Sequence, residues 1–586
     1  MPPKRRYILG VAGIALLFVI SLGALRERPS GSGYSWSPAS FAPSGLDTVS
    51  GKEDHRVAKS SLPLPAEYNA AILANLSEPV SDFCRDRMSA QFLEQFSQCR
   101  ASYCSEDSVS DLTCFHTASP TGSKDSFCLI RDGISFDIGR RKFTVDCQLR
   151  NPSPLGGGSR QPVRFHTGTS HRKTLPSGRP KEAPKHSMAQ SDSFVVLLKR
   201  EVDGNIWHCI NEIMALMTTL DVLKITPRSD SGPGAGAVLG PGAIPKTEIV
   251  ILDDLSDGNY FELFQMFSGT KPERLDEWIA RKRISKTAES VSSVGNVIVP
   301  FAGSANPLWS DWKPMDCTDN TMLRVFVQRI FDLYGLPRTR QRNAASSSPP
   351  RRLRVTLIVR KSSRQLLGLD TWLAAALRAR YAGLADIGLV DFEGMPFRAQ
   401  VAAARDTDVL VGMHGAGLTH AMFMEEGRGA LVEIQPDRLC HWGFRNLARM
   451  TGQAYFVAGA GKIVGNCYAV PESLRGEGEG NGAEAGVEVL PDDGKGAVYD
   501  PSRCYVHTTD AAAWSLGCSD PRVTGGERSF WVCRHRDADD AWYRTCKKKE
   551  AADIWWMTRY IMEQDRFVKL VGEAIETVRR AEEASR

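Results

Sequence analysis

The chain has 586 residues, too many for one hydrophobic core, and is read as two or more domains with appendages. With 42% hydrophobic and 24% charged residues its composition is that of an ordinary globular protein. A net charge of only +5, with no alternating basic and aromatic stripe, excludes a nucleic-acid-binding footprint.

Residues 1–6 form a short basic tail carrying Lys4, Arg5 and Arg6. Tyr7 to Leu25 is uncharged, and as a helix it spans about 28 Å, close to the ~30 Å hydrocarbon core of a bilayer. The basic residues ahead of it predict a signal anchor, with the N-terminus cytosolic and the bulk of the chain lumenal. The alternative is a cleaved signal peptide, with Ser21 and Gly23 as the small residues before the cut. The expected location is therefore the Golgi or endoplasmic reticulum membrane, as a single-pass type II protein. Residues 26–82 are rich in Ser, Pro and Gly and read as a stem that holds one N-glycosylation triplet, Asn75-Leu76-Ser77.

A cysteine-rich region follows at 83–150, with Cys84, Cys99, Cys104, Cys114, Cys128 and Cys147; Cys504, Cys518, Cys533 and Cys546 cluster late. Zinc ligation needs paired CxxC spacing, which is missing, so both clusters are expected to form disulfides within themselves. Six cysteines alone allow about 15 pairings, and the connectivity stays open.

Residues 151–193 are polar and broken by proline, a linker. From 194 to 336 strand and helix patterns alternate. "FVVLLK" (194–199), "TEIVILDD" (247–254) and "NVIVPF" (296–301) read as strands. A helix over 205–224 carries Ile206, Ile210, Met214 and Met217 on one stripe, and another covers 321–336. A second linker spans 337–352. Alternation resumes over 353–470: strands at 353–359, 386–392, 408–412 and 430–435, with helices near 369–380, 397–405 and 418–425. This is the pattern of right-handed βαβ units with a parallel sheet. An acidic low-complexity insertion (471–502) and a cysteine-containing tail (503–586) with a long terminal helix complete the chain. The predicted class is α/β, with two Rossmann-like lobes in tandem.

The stretch "DVLVGMHGAGLTHAMF" (408–423) places a glycine-rich turn between a strand and a helix. Gly412, Gly415 and Gly417 let backbone approach a ligand, and N–H groups at the helix start face negative charge. His414 sits at the carboxyl end of the strand, where open α/β sheets bind ligands, and Glu433 is placed to accept hydrogen bonds from ribose hydroxyls. The combination predicts a nucleotide diphosphate. A dinucleotide fingerprint fails because His420 stands where Gly or Ala is needed, and no GxSxG elbow supports an esterase. Asp406-Thr407-Asp408 imitates a metal-binding DxD but precedes the strand, so it is read as turn and strand entry.

"DVLVGMHGAGLTHAMFM…GALVEIQP" resembles the signature of glycosyltransferase family 61, and the likeness covers residues 194–470. "VTLIVRKSSRQLLG" is similar to the family's Arg-x-x-x-Arg-x-x-x-Asn segment and supplies Arg360 and Arg364, with Gly368 in place of the Asn. "NIWHCINEIM" resembles its His-x-x-x-Asp/Glu helix, here His208 and Glu212. The resemblance implies a two-lobed GT-B fold, inversion at the anomeric carbon and no obligatory metal or other cofactor. Its implied partners are a UDP-sugar donor and a protein Ser/Thr hydroxyl or glycan acceptor. N-acetylglucosamine is the first choice of sugar and xylose the alternative. A sugar-nucleotide or glycan-binding protein without catalysis is the rival class. The expected donor site comprises Arg360, Arg364, His414, Gly415, Ala416, Gly417, Thr419 and Glu433. Glu212 and His208, one helical turn apart and expected to share a hydrogen bond, are the expected catalytic pair; either can be the base, and Glu212 is the first choice.

Overall fold

A computed structural model of the chain describes residues 61–71, 81–117, 126–138, 141–148, 193–228, 236–284, 292–337, 351–464 and 559–584, short internal gaps aside, with two-residue strands at 468–469, 498–499 and 505–506. The anchor over Tyr7–Leu25, the late cysteines and most of the acidic insertion lie outside the described residues. Among the described helices none is long and apolar enough to cross a membrane.

Two sheets dominate. The first orders Arg100–Ser102, Asp111–His116, Ser126–Arg131, Asn296–Val299, Phe194–Leu198, Thr247–Ile251 and Glu273–Arg274. Its later four strands are parallel. Its first three join them antiparallel, through Val297 opposite Ile130. The second sheet orders Gln365–Leu366, Arg559–Ile561, Ala454–Val464, Ala430–Pro436, Val409–Met413, Leu353–Ile358 and Ala385–Val390. Its five long parallel strands thus stand in the spatial order second, first, third, fourth, fifth. That order puts the topological switch point between Leu353–Ile358 and Val409–Met413, where doubly wound sheets open a crevice for ligands.

Side-chain alternation divides the apolar residues into layers. In the first sheet Phe194, Val196 and Leu198 face a central core, while Val195 and Leu197 face an outer one. In the second, Ile358, Leu410, Leu431 and Tyr455 share that central core, and Val355, Val409 and Val432 pack outward beneath the Gln564–Ala584 helix. Between the sheets lies the Ile206–Ile225 helix, capped by Asn205 and buried along nearly its whole length. A helix apolar on every side is one enclosed on every side.

Two expectations of domain organisation are corrected. Part of the span read as stem is built into the fold: Ala66–Ala71 is a helix, Leu62 donates to the Ile225 carbonyl, and Tyr68 is fully buried with its hydroxyl 2.6 Å from Asp221. Arg329 closes this network onto Asp221 and Glu67. The buried Asp221 carboxylate needs these partners, and a Pro- and Ser-rich composition gave no sign of them. Likewise the cysteine-rich region is no separate module, since its strands extend the first sheet. Its disulfides are Cys104–Cys147, Cys114–Cys128 and Cys84–Cys317, so Cys84 pairs far outside the early cluster and Cys99 is free.

Candidate active site

At the switch point, two segments meet. Arg360 and Arg364 follow the strand Leu353–Ile358, and Arg364 adopts a left-handed backbone with φ of 56°. Arg360 Nε donates to the Ser363 carbonyl at 2.8 Å, which folds the loop back on itself. His414 ends the neighbouring strand with its N–H on the Ile434 carbonyl, and Gly415 turns the chain at φ 149° into the short 3₁₀ helix Ala416–Phe423. A Cβ on Gly415 would lie 2.7 Å from Arg360 Nη1 and 3.2 Å from Arg364 Nη2. The absent side chain is therefore what lets both guanidinium groups close on this backbone. Burial lowers the pKa of both arginines, and the added like charge of Arg360 takes Arg364 down to about 10. An anion placed here relieves both penalties.

His414 is all but buried, and its Nδ1 lies 2.5 Å from Glu433 Oε1; Tyr455 donates its hydroxyl to Glu433 Oε2 at 2.5 Å. The carboxyl is wholly buried, and desolvation pushes it up to about 7. Assigning Nδ1 as the donor to Glu433 fixes the tautomer and orientation of the ring. The expectation that Glu433 receives ribose hydroxyls is corrected: both its oxygens are engaged beneath His414. Glu433 pairs in register with Gly412, within the strand rather than beyond its end.

A cleft of about 320 Å³ runs between the lobes, lined by Arg364, His414, Gly415, Ala416, His441 and Phe444 from the second lobe. Asn205, Trp207, His208 and Trp309 face them from the first. The His208 and Trp309 rings meet edge to face at 4.5 Å, and Trp207 packs likewise on Phe444 at 5.6 Å. Trp207 Nε1 is buried without a hydrogen-bond partner among the described residues.

The expected His208–Glu212 hydrogen bond is not formed. Glu212 instead accepts the Glu201 backbone N–H at 2.6 Å, beside Arg200, Cys209 and Tyr260, and burial raises its pKa to about 8. His208 Nδ1 lies 3.3 Å from Glu201 Oε2, close but without the alignment of a formed hydrogen bond. The helical spacing is correct, yet only His208 lines the cleft.

Gly417 does not line it either. A Cβ there would meet Ile358 Cγ2 at 3.3 Å, so the position serves turn-on-strand packing. Thr419 is fully buried and outside the cleft lining. His420 stacks on Phe392 at 3.9 Å, with Nδ1 on the Gly417 carbonyl and Nε2 on Gln400, and burial takes it down to about 4. Asp408 is a structural anchor gripped by Arg351 through two 2.9 Å contacts, and Asp406 pairs with Arg354. Sequence reasoning missed Glu201, Trp309, His441 and Phe444. Of these only His441, shortly after the strand Ala430–Pro436, carried a usable signal, its place beyond a strand's carboxyl end.

Residues 207–431 match the glycosyltransferase 61 family. Among similar proteins, the EGF domain-specific O-linked N-acetylglucosamine transferase of Drosophila melanogaster is 33% identical over 144 residues, 24% of each chain. The proteins of the same name from Xenopus laevis and Mus musculus are 29% and 27% identical over 144 residues, 24% of this chain and 25% of theirs. The chain thus matches about a quarter of the length of these relatives.

Proposed function

Starting from the glycosyltransferase 61 match over residues 207–431, we propose that the protein is an inverting glycosyltransferase of GT-B type that uses a UDP-sugar donor. The family match and the names of the relatives support glycosyl transfer. One observation carries the donor site: two guanidinium groups converge on the Gly415 backbone at the switch point, and Arg364 lines the interlobe cleft beside it. They supply the charge that a departing nucleoside diphosphate requires, together with the N–H groups that open the 3₁₀ helix. Neutralisation by arginine is the reading without an obligatory metal. The relatives' names support N-acetylglucosamine as the sugar and a protein hydroxyl as the acceptor, with xylose as the alternative. The three disulfides support a lumenal location.

The acceptor approaches from the first lobe. His208 takes the proton of its hydroxyl as the new oxygen–carbon bond forms at the anomeric carbon. The carbon–phosphate oxygen bond breaks on the opposite face, and its electron pair leaves with UDP onto Arg360 and Arg364. His414, held by Glu433, lines the same end of the cleft. Incubating the full chain with a panel of UDP-sugars and following UDP release tests this. Turnover of one donor, lost in Arg364→Ala, is the expected result, and no binding or hydrolysis of any donor overturns the proposal.

A further inference from the structure

The Ile206–Ile225 helix begins at the end of a tight loop, residues 199–205, that doubles back along its first turns. Two buried groups pin this loop. Arg200 is locked to Asp253, to its carboxylate at 2.8 Å and through its own N–H at 2.7 Å, and also donates to the Leu255 and Ser256 carbonyls. One residue on, the Glu201 N–H is held by Glu212. Glu212 has little freedom to do anything else, because Gly303 packs so closely that a Cβ there would lie 2.5 Å from Glu212 Cγ. With its backbone fixed at both residues, Glu201 projects its carboxylate to within 3.3 Å of His208 Nδ1. Trp309 closes the other side of the imidazole.

From this chain of contacts we infer that Glu201 and Glu212 are positioning residues for His208: Glu201 sets the imidazole, and Glu212 sets Glu201. The inference rests on the base role given to His208 above. A carboxylate at Nδ1 keeps the proton there, which leaves the Nε2 lone pair to accept the acceptor's proton, and it then stabilises the imidazolium that results. Glu212 needs no charge for its part. It acts as a hydrogen-bond acceptor for a backbone N–H, and an amide oxygen serves equally well. The His-x-x-x-Glu spacing therefore supports a base through a neighbouring loop, rather than presenting two residues to the substrate.

The test compares variants of the full chain, with kcat and KM measured on the donor that supports turnover and UDP affinity measured by calorimetry. His208→Gln lowers kcat by roughly 10²–10⁴, the worth of a positioned base. Glu212→Gln stays within about threefold of the parent, whereas Glu212→Leu, which cannot hold the loop, loses at least about tenfold in kcat. Glu201→Gln lowers kcat by roughly 10²–10⁴, the scale on which a mis-set tautomer acts, with UDP affinity and donor KM unchanged, and Glu201→Asp recovers part of the loss. A Glu212→Gln protein that folds and binds UDP yet loses as much kcat as His208→Gln would show Glu212 handling the proton itself. An unchanged kcat in Glu201→Gln would remove Glu201 from the mechanism. Parent protein that neither binds UDP nor turns over any donor overturns the transferase reading, and this inference with it.

Discussion

Gly415→Ala is the sharpest perturbation of the donor site, because one methyl group has two separable effects there. At φ 149° an L side chain is strained, which costs about 1–3 kcal/mol of folding stability and leaves binding untouched. The second effect is local to the cleft. The new Cβ lies 2.7 Å from Arg360 Nη1, below any ordinary carbon–nitrogen contact, so that guanidinium must withdraw, and Arg364 Nη2 at 3.2 Å must give slightly. Losing one charge-assisted hydrogen bond to a phosphate costs about 1.5–3 kcal/mol, which weakens UDP binding by roughly 10–150-fold. Gly417→Ala is the internal control. Its Cβ meets only Ile358, at 3.3 Å and 3.6 Å, so UDP affinity should stay within about threefold. Calorimetric titration of UDP into both proteins, each checked for folding by thermal melting, reads the difference. If Gly415→Ala bound UDP like the parent while Gly417→Ala did not, the diphosphate would lie on the far side of the turn and the site as drawn would be wrong.

Burial raises Glu212 to about 8 and Glu433 to about 7, so each favours folding most below the ordinary carboxylate range, and that contribution is lost as pH rises through those values. The melting temperature should fall between pH 5 and pH 8.5, and Glu212→Gln should flatten part of that slope; an identical slope would place Glu212 in contact with water. Cys317→Ser opens the Cys84–Cys317 link, closed across a sequence separation of 233, and should cost about 2–5 kcal/mol in chemical denaturation while Cys99→Ser costs nothing measurable. Asp408→Asn should destabilise by about 2–3 kcal/mol, less than a fully buried pair because Arg351 still reaches water, and folded Asp408→Asn protein should bind UDP normally. A loss of UDP binding there, or of turnover on chelation of divalent cations, would return the Asp406-Thr407-Asp408 stretch to the active site.

Four strands of the second lobe could be read from their residues because each is a short apolar run between turn signals, whereas Ala454–Val464 was missed and the strand order is set by packing that leaves no local pattern. The glycine turn was equally open, since Gly412, His414 and Gly415 fall within four residues at one strand end. What failed was depth. Glu433 pairs with Gly412, two positions short of His414 on the same sheet face, so it sits below His414 in the sheet instead of reaching the crevice. Helical spacing placed His208 and Glu212 one turn apart, but on a helix enclosed all round, one turn separates a residue at the cleft from one beneath a loop. Contacts across hundreds of residues, such as Tyr68 with Asp221 or Cys84 with Cys317, leave no local pattern at all.

The second sheet takes one strand and a covering helix from residues 559–584. Arg559–Ile561 is inserted between Gln365–Leu366 and Ala454–Val464, and the Gln564–Ala584 helix covers the outer core, with Glu582 bound to Arg351. A ribosome that has delivered residues 353–464 has therefore made Arg360, Arg364, His414 and Gly415 and still holds a lobe whose outer core has only the helical segment around Leu373 and Leu377 over it. Such a chain leaves part of the core around Val355, Val409 and Val432 open to quality control until the Gln564–Ala584 helix emerges. A chain that stops short of Arg559 therefore lacks both the inserted strand and the covering helix, and is degraded rather than partly active.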